Sequence, residues 1–318
     1  MNENKKLFLL EEDITYLNHG SFGACPKVIF EDYQNWQFKL EKQPVQFFTE
    51  ELYYALKKSR ESLSKFLGCG QDEVLFFQNP TTAVSNIIYN LDLKPGDEIL
   101  MTDHEYGALV RAWNAWGKKV KVYIKYANVT LPLESKDKFF EDVSKKISSK
   151  TKVLFLSHIT SPTGLVFPIK DIIDFAKEKK IITIVDGAHV PGHIDLSIQN
   201  LGCDFYTGAL HKWMCAPKGA SFLFVKKEHQ KWIKPVIYSW GKDGDDPEPS
   251  EFLQDFQWQG TRDMSAFLTI PKVINFFKND IESFQEHSKK LILNSREQFQ
   301  RVLGTHPISK GDDFLGQM

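Results

Sequence analysis

Short β-rich runs alternate with amphipathic segments along most of this chain, and that alternation limits the fold more than any other feature. The runs are EVLFF (73–77), EILM (98–101), VKVYIKY (120–126), TKVLFLSH (151–158), IITIVD (181–186) and ASFLFV (220–225). Between them, apolar residues recur at helical spacing near 81–91, 105–116, 136–147 and 169–180. Strands joined by helices of this length predict right-handed crossovers and a mostly parallel sheet, an α/β fold. Two further helices are expected ahead of the first strand. One covers 28–41 and stops before Pro44; the other covers about 50–67 and closes on Gly68 as a C-cap. LKPGDE (93–98) reads as a turn, and the acidic, Pro- and Gly-rich GKDGDDPEPSE (241–251) as an exposed loop.

Composition removes several classes of function. The 40 basic and 41 acidic residues leave a net charge of −1, which argues against nucleic acid as the main partner. The 25 Phe and 7 Trp predict a core built largely on aromatic packing. Cys25, Cys69, Cys203 and Cys215 show neither CxxC nor zinc-finger spacing and read as free thiols of a reducing compartment. The opening MNENKKLFLLEED has no long apolar run, so no signal peptide is expected, and no stretch approaches a membrane span. A cytoplasmic protein is the resulting expectation. GxGxxG and GxxxxGK[ST] are both absent, which leaves nucleotide binding without support.

The chemistry concentrates between Asp186 and Gly219, DGAHVPGHIDLSIQNLGCDFYTGALHKWMCAPKG. Asp186 ends an apolar strand, the position at which open α/β sheets place their ligands. Lys212 follows in HKW. A Lys in a cleft can form a Schiff base, and an Asp facing it can hold a pyridinium nitrogen protonated, the two protein groups that a pyridoxal 5′-phosphate (PLP) site needs most. Upstream, QNPTTA (78–83) opens a helix that Thr81 or Thr82 can cap, leaving free amides to face an anion. A rival arrangement is a metal site of Asp186, His189 and His193. Pro191 and Gly192 oppose it, because they break any helix that would bring both imidazoles to one face.

DGAH ahead of HKW and APKG, in a pattern running in order from Tyr16 to about Ile270, resembles the class V aminotransferases, and within them the isopenicillin N epimerase-like branch. The resemblance implies a PLP-dependent transferase-like large domain over 27–270, an N-terminal arm and substrate loop over 1–26, and a partial small C-terminal domain over 271–318. Family members usually continue beyond this point, into a domain whose Arg clamps the substrate carboxylate; either the small domain is truncated here, or the chain is a fragment, or another Arg does that work. In the resemblance Lys212 carries the cofactor and Asp186 holds its ring nitrogen. Tyr106 stacks on the ring, with His104 a second candidate, and His189 and Ser161 (or Thr163) meet its phenolic oxygen. Thr81, Thr82, Thr207 and His211 hold the phosphate. Gly260 and Thr261, in WQGTRD, reach the phosphate of a partner subunit's cofactor, which implies a homodimer with shared sites. Asn18 and His19, in YLNHGSFGACP (16–26), approach the amino-acid substrate, and Arg262 is either structural or meets its carboxylate. Two departures stand out: Pro80 cannot donate a backbone hydrogen bond to the phosphate, and Ala209 replaces a polar side chain.

The implied activity is chemistry at the α-carbon of an amino acid. C–S β-elimination, as in a cysteine desulfhydrase or C–S lyase, is preferred; epimerisation or transamination is the alternative. Cysteine desulfurases of the class pass sulfur to a Cys on a late loop, and here no Cys follows Cys215. A non-catalytic relative kept as a binding protein is the reading from another class, and a metal-dependent hydrolase comes third.

Overall fold

The computed structural model describes residues 3–244 and 250–318. Seven strands form one sheet: β1 (Val74–Phe77), β2 (Glu98–Thr102), β3 (Tyr123–Ala127), β4 (Thr151–Ser157), β5 (Ile182–Asp186), β6 (Phe205–Ala209) and β7 (Ser221–Val225). Their spatial order is β1-β7-β6-β5-β4-β2-β3. β3, β2, β4, β5 and β6 pair in parallel, whereas β7 lies antiparallel to both β6 and β1. The mostly parallel α/β sheet expected from the alternation is therefore present.

Helices cover both faces. α1 (Lys27–Lys42), α2 (Pro44–Gln46) and α3 (Leu52–Leu67) precede the sheet, and α4 (Pro80–Asn90), α5 (Gly107–Val120), α6 (Lys136–Ser144) and α7 (Lys170–Glu178) join its strands. α8 (Ile198–Leu201) leads into β6, and α9 (Glu251–Gln257), α10 (Ser265–Leu268), α11 (Ile270–Phe277) and α12 (Ile281–Leu303) follow β7. Side chains alternate across a strand with a period of two, and the two cores divide accordingly. Leu154, Leu156 and Val185 join one core with α1, α3, α7 and α11. Val153, Phe155 and Ile184 join the other with α4, α5 and α9, where Phe155 meets Trp113 at 5.6 Å between ring centroids. Burying each such side chain stabilises the fold by about 1.5–3 kcal/mol.

Three local expectations need correction. β6 was not foreseen, because its GA end carries no β-branched or aromatic signal. Gly208 is small because Phe222 on β7 fills the space its Cβ would occupy, at 2.6 Å. α5 runs on through Val120 and ends on Lys121 in a left-handed conformation (φ 63°), so the third strand starts at Tyr123 rather than 120. α1 stops at Lys42, before Pro44 as expected, and Pro44 then opens α2, since a first-turn Pro loses no hydrogen bond. A π-turn, Phe47–Glu51, then carries α2 into α3, which closes on Gly68 at φ 62°. Finally, Asn79 rather than a Thr caps α4: with Pro80 fixed in the first turn, Asn79 is extended and its Oδ1 accepts from Thr82 N at 2.9 Å.

Of the loop expected over 241–251, residues 245–249 lie outside the described residues; Ser250 caps α9, which begins at Glu251. The boundary at 270/271 falls inside α11, whose Ile270 and Val273 are fully buried in the core shared with α3.

Candidate active site

The carboxyl ends of the parallel strands put Ser157, Asp186 and Thr207 side by side, paired across β4, β5 and β6. A cavity of about 700 Å³ opens there. Among the expected residues, Asn18, Thr81, Thr82, Tyr106, Ser161, Asp186, His189, His211 and Lys212 line it. Segments from six parts of the chain, separated by up to about two hundred positions, thus meet in one space.

Asp186 is 4 % exposed, and its Oδ1 accepts from Ala188 N at 2.9 Å. Burial pushes its pKa up, against the Ala188 hydrogen bond and the Lys212 charge. A carboxylate so placed gains most from a cationic N–H brought to it. Its backbone cannot recede, because Gly187 packs so tightly on Tyr206 that a Cβ would overlap the phenol ring. Tyr206 is held in turn by His158 Nδ1 at 3.1 Å.

Lys212 lies beyond β6 in a turn clamped from outside. Gly23 N donates to His211 O at 2.9 Å, and a Cβ on Gly23 would overlap the Lys212 carbonyl oxygen. Lys212 Nζ is 3.1 Å from His189 Nε2. Burial lowers the Lys212 pKa, with Asp186 opposing, and burial with the Lys212 charge brings His189 down to about 3. His189 is therefore neutral. With its Nδ1 accepting from Trp213 Nε1 at 3.5 Å, Nε2 carries the proton and faces the Lys212 amine. The lowered pKa moves Lys212 towards the neutral amine, its nucleophilic form.

The start of α4 borders the cavity. Pro80 has no N–H, Thr82 N donates to Asn79 Oδ1, and Ala83 N donates to Asn79 O at 3.3 Å. Thr81 N is the donor this leaves in the first turn. Thr82 Oγ1 donates to Asn79 O at 2.9 Å, so its hydroxyl proton is already used. His211 Nδ1 meets Ala220 O at 3.0 Å, which directs its Nε2 elsewhere.

Other expected residues do not line the cavity. Thr207 Oγ1 donates to Phe222 O at 2.7 Å within the sheet. His19 packs edge-on against Tyr16 at 5.0 Å, with Cys215 Sγ 3.8 Å from its Nδ1. Thr163 joins Thr160 and His104. Arg262 lies over the Phe267 ring at 5.3 Å, beside Arg60. Gly260 (φ 112°) and Thr261 sit on an exposed turn. Among the described residues, potential metal-ligand atoms converge at Asp204, Glu228 and His229, where Lys226 already supplies a cation, and not at Asp186, His189 and His193.

Two features escaped the sequence reading. Glu105, 7 % exposed, accepts from Thr102 Oγ1 at 2.6 Å and Ser157 Oγ at 2.5 Å, beside the Asp186 strand. Burial raises its pKa to about 7, the two hydroxyls lower it, and Asp186 raises it. A Glu is presumed solvated by default; the only clue was Thr102 three residues earlier. Met318 also lines the cavity, although 48 residues separate it from the end of the matched motifs.

The residues present fit PLP: a buried acid for the ring nitrogen, an amine of lowered pKa in the same cavity, a helix start for the phosphate and Tyr106 as a wall. Comparison with known proteins agrees. A model described as aminotransferase class-V matches residues 25–310. Isopenicillin N epimerase of Amycolatopsis lactamdurans is 31% identical over 313 residues, 94% of this chain and 78% of that protein. L-cysteine desulfhydrase of Arabidopsis thaliana is 24% identical over 306 residues, 91% of this chain and 65% of that one. Among solved structures, the apo cysteine desulfurase of Thermococcus onnurineus NA1 superposes with a TM-score of 0.79 at 18% identity, covering 93% of this chain and 76% of that one. With the fold, the cofactor-shaped cavity and a match along nearly the whole sequence in agreement, this chain belongs to the class-V aminotransferase family of PLP-dependent enzymes.

Proposed function

We propose that the protein eliminates the sulfur substituent from the β-carbon of a sulfur-bearing L-amino acid such as cysteine. The observation that carries this reading is the Lys212 amine, 3.1 Å from a neutral His189, in one cavity with the buried Asp186. Bound PLP supplies an electron sink for the bond pair left at the substrate α-carbon. Lys212 Nζ would hold the cofactor and, once a substrate amine has taken its place, would be free to take the α-proton. Asp186 keeps a proton on the ring nitrogen by facing it as an anion. Thr81 N and His211 would hold the phosphate, with Thr82 beside them already hydrogen-bonded to Asn79; Tyr106 would cover the ring, and His189 with Ser161 would orient it. Asn18 orients the substrate, and His19 steadies the loop that bears Asn18.

Once sulfide leaves the β-carbon and water adds, cysteine and one water have become sulfide, ammonia and pyruvate. The sulfur leaves free in this scheme. Burial pushes the thiols of Cys25 and Cys215 up to about 11 and 12, Cys69 rises to about 12, and none of these lines the cavity. No described thiolate is placed to take sulfur as a persulfide.

A second reading, epimerisation at the α-carbon, draws on the higher identity to isopenicillin N epimerase. It needs a proton donor on the ring face opposite Lys212, and Tyr106, if stacked there, would crowd that face. Incubation with L-cysteine in deuterated water separates the two: sulfide and pyruvate support elimination, whereas a deuterated, inverted amino acid without sulfide overturns it.

The working unit in this reading is a homodimer. Gly260 and Thr261 lie on an exposed turn outside their own cavity, and a partner subunit's phosphate is the ligand they suit. Arg262, held against Phe267, is structural. We take 27–270, extended through the end of α11 at Phe277, as the cofactor-binding domain, 1–26 as the arm that covers it and the remainder to 318 as part of a small domain. Among the described residues no helix is long and apolar enough to cross a membrane, and four unpaired cysteines suit the cytoplasm.

A further inference from the structure

Residues 314–318 fold back onto the cavity. Leu315 bridges to Leu165, and Val166 N donates to Phe314 O at 2.8 Å. Gln317 is 6 % exposed, its Nε2 donating to Gly192 O at 3.0 Å and to His193 O at 2.9 Å. Gln317 N donates to His193 Nε2. Burial keeps His193 neutral, with a pKa lowered to about 3, so that nitrogen has a lone pair to offer. Gly316 passes so close to the imidazole that a Cβ would overlap Nε2. Trp213, the neighbour of Lys212, packs edge-on against the same ring at 4.7 Å. These contacts deliver Met318 to the cavity, where its Cγ lies 3.1 Å from the point a Cβ on Gly164 would occupy, over the turn bearing Ser161.

Leu17, Phe22, Ile159 and Trp213 line the same cavity. A short, polarisable side chain that reaches Met318 meets a thioether, whereas a bulky one competes with it for space.

We propose that Gly316–Met318 is a wall of this cavity, with His193 and Gln317 as its positioning residues and Met318 as the residue that limits the size of the amino-acid side chain admitted. The proposal rests on the PLP reading above and narrows its substrate class to amino acids with small side chains, cysteine among them. The test titrates the visible absorbance of the bound cofactor with L-cysteine, L-methionine and L-phenylalanine, and follows hydrogen exchange at the Gln317 amide.

Met318→Ala is expected to improve binding of methionine and phenylalanine relative to cysteine by roughly tenfold, the scale of discrimination set by one or two methylenes. Gly316→Ala is expected to give the same change by displacing the wall, and to speed exchange at Gln317. Parental selectivity in both variants, with the cofactor absorbance intact, overturns the wall. A parent protein that acquires no cofactor absorbance refutes the underlying reading instead, and the wall with it, before any variant is compared.

Discussion

Burial draws the Lys212 amine towards its neutral form while the Asp186 carboxylate pulls it back, and the balance decides whether it attacks or merely pairs. Glu105 adds a third charge to this neighbourhood, and its effect on stability is separable. Its pKa is raised from 4.5 to about 7 in the folded protein, chiefly by burial. Between those values the native state holds a proton that the unfolded chain has released, so this stabilisation is complete below about pH 4.5 and is lost as pH rises through 7. The loss amounts to about 3 kcal/mol if the whole shift is realised. Glu105→Gln is expected to remove this slope, and urea unfolding at pH 5 and pH 7 measures it; a variant as pH-sensitive as the parent contradicts the assignment. Residues of this kind were poorly legible beforehand. Asp186 and Lys212 announced themselves by position, at a strand end and between glycine-rich turns. Glu105 did not, because only the fold reveals that Thr102 and Ser157 spend their hydroxyls on it.

Elements were easier to read than their ends. Short, nearly continuous apolar runs marked β1, β2, β4, β5 and β7, since each is buried on both faces, against two different cores. β6 was missed because Thr207, Gly208 and Ala209 are small for reasons outside the segment: Phe222 and Pro191 occupy the space next to Gly208. The loop of residues 16–26 was read as a substrate contact, yet its tightest contact is with the Lys212 turn. Gly23 is what permits that contact. Gly23→Ala places a Cβ into the His211 and Lys212 carbonyl oxygens and must push the loop outward. Since misplacement by an ångström or so can cost on the order of 10²-fold, a fall of that size in kcat/KM for cysteine is expected, with the melting temperature little changed. Parental kcat/KM would show that the loop takes no part in the reaction.

At the scale of the molecule, the mostly parallel sheet and its ligand-bearing edge followed from the strand–helix alternation alone. What crosses between subunits did not, because an exposed turn such as that of Gly260 and Thr261 looks the same whether it meets water or a partner. Hybrid dimers decide the matter. Lys212→Ala and Thr261→Glu chains are each expected to be inactive, the second because its carboxylate repels a phosphate. Mixed and re-paired at random, they are expected to recover about a quarter of parental activity, from the one intact site in each hybrid. No recovery, with hybrids shown to form, means that each chain completes its own site.

The most direct test of the whole account is chemical. The protein loaded with PLP is reduced with borohydride, digested and mapped by mass spectrometry. A pyridoxyl group on the peptide containing Lys212, and its disappearance in Lys212→Ala, is the predicted result. The same group on Lys218, whose amine lies six residues away and reaches the Gly23 carbonyl oxygen, or on no single lysine, would contradict it.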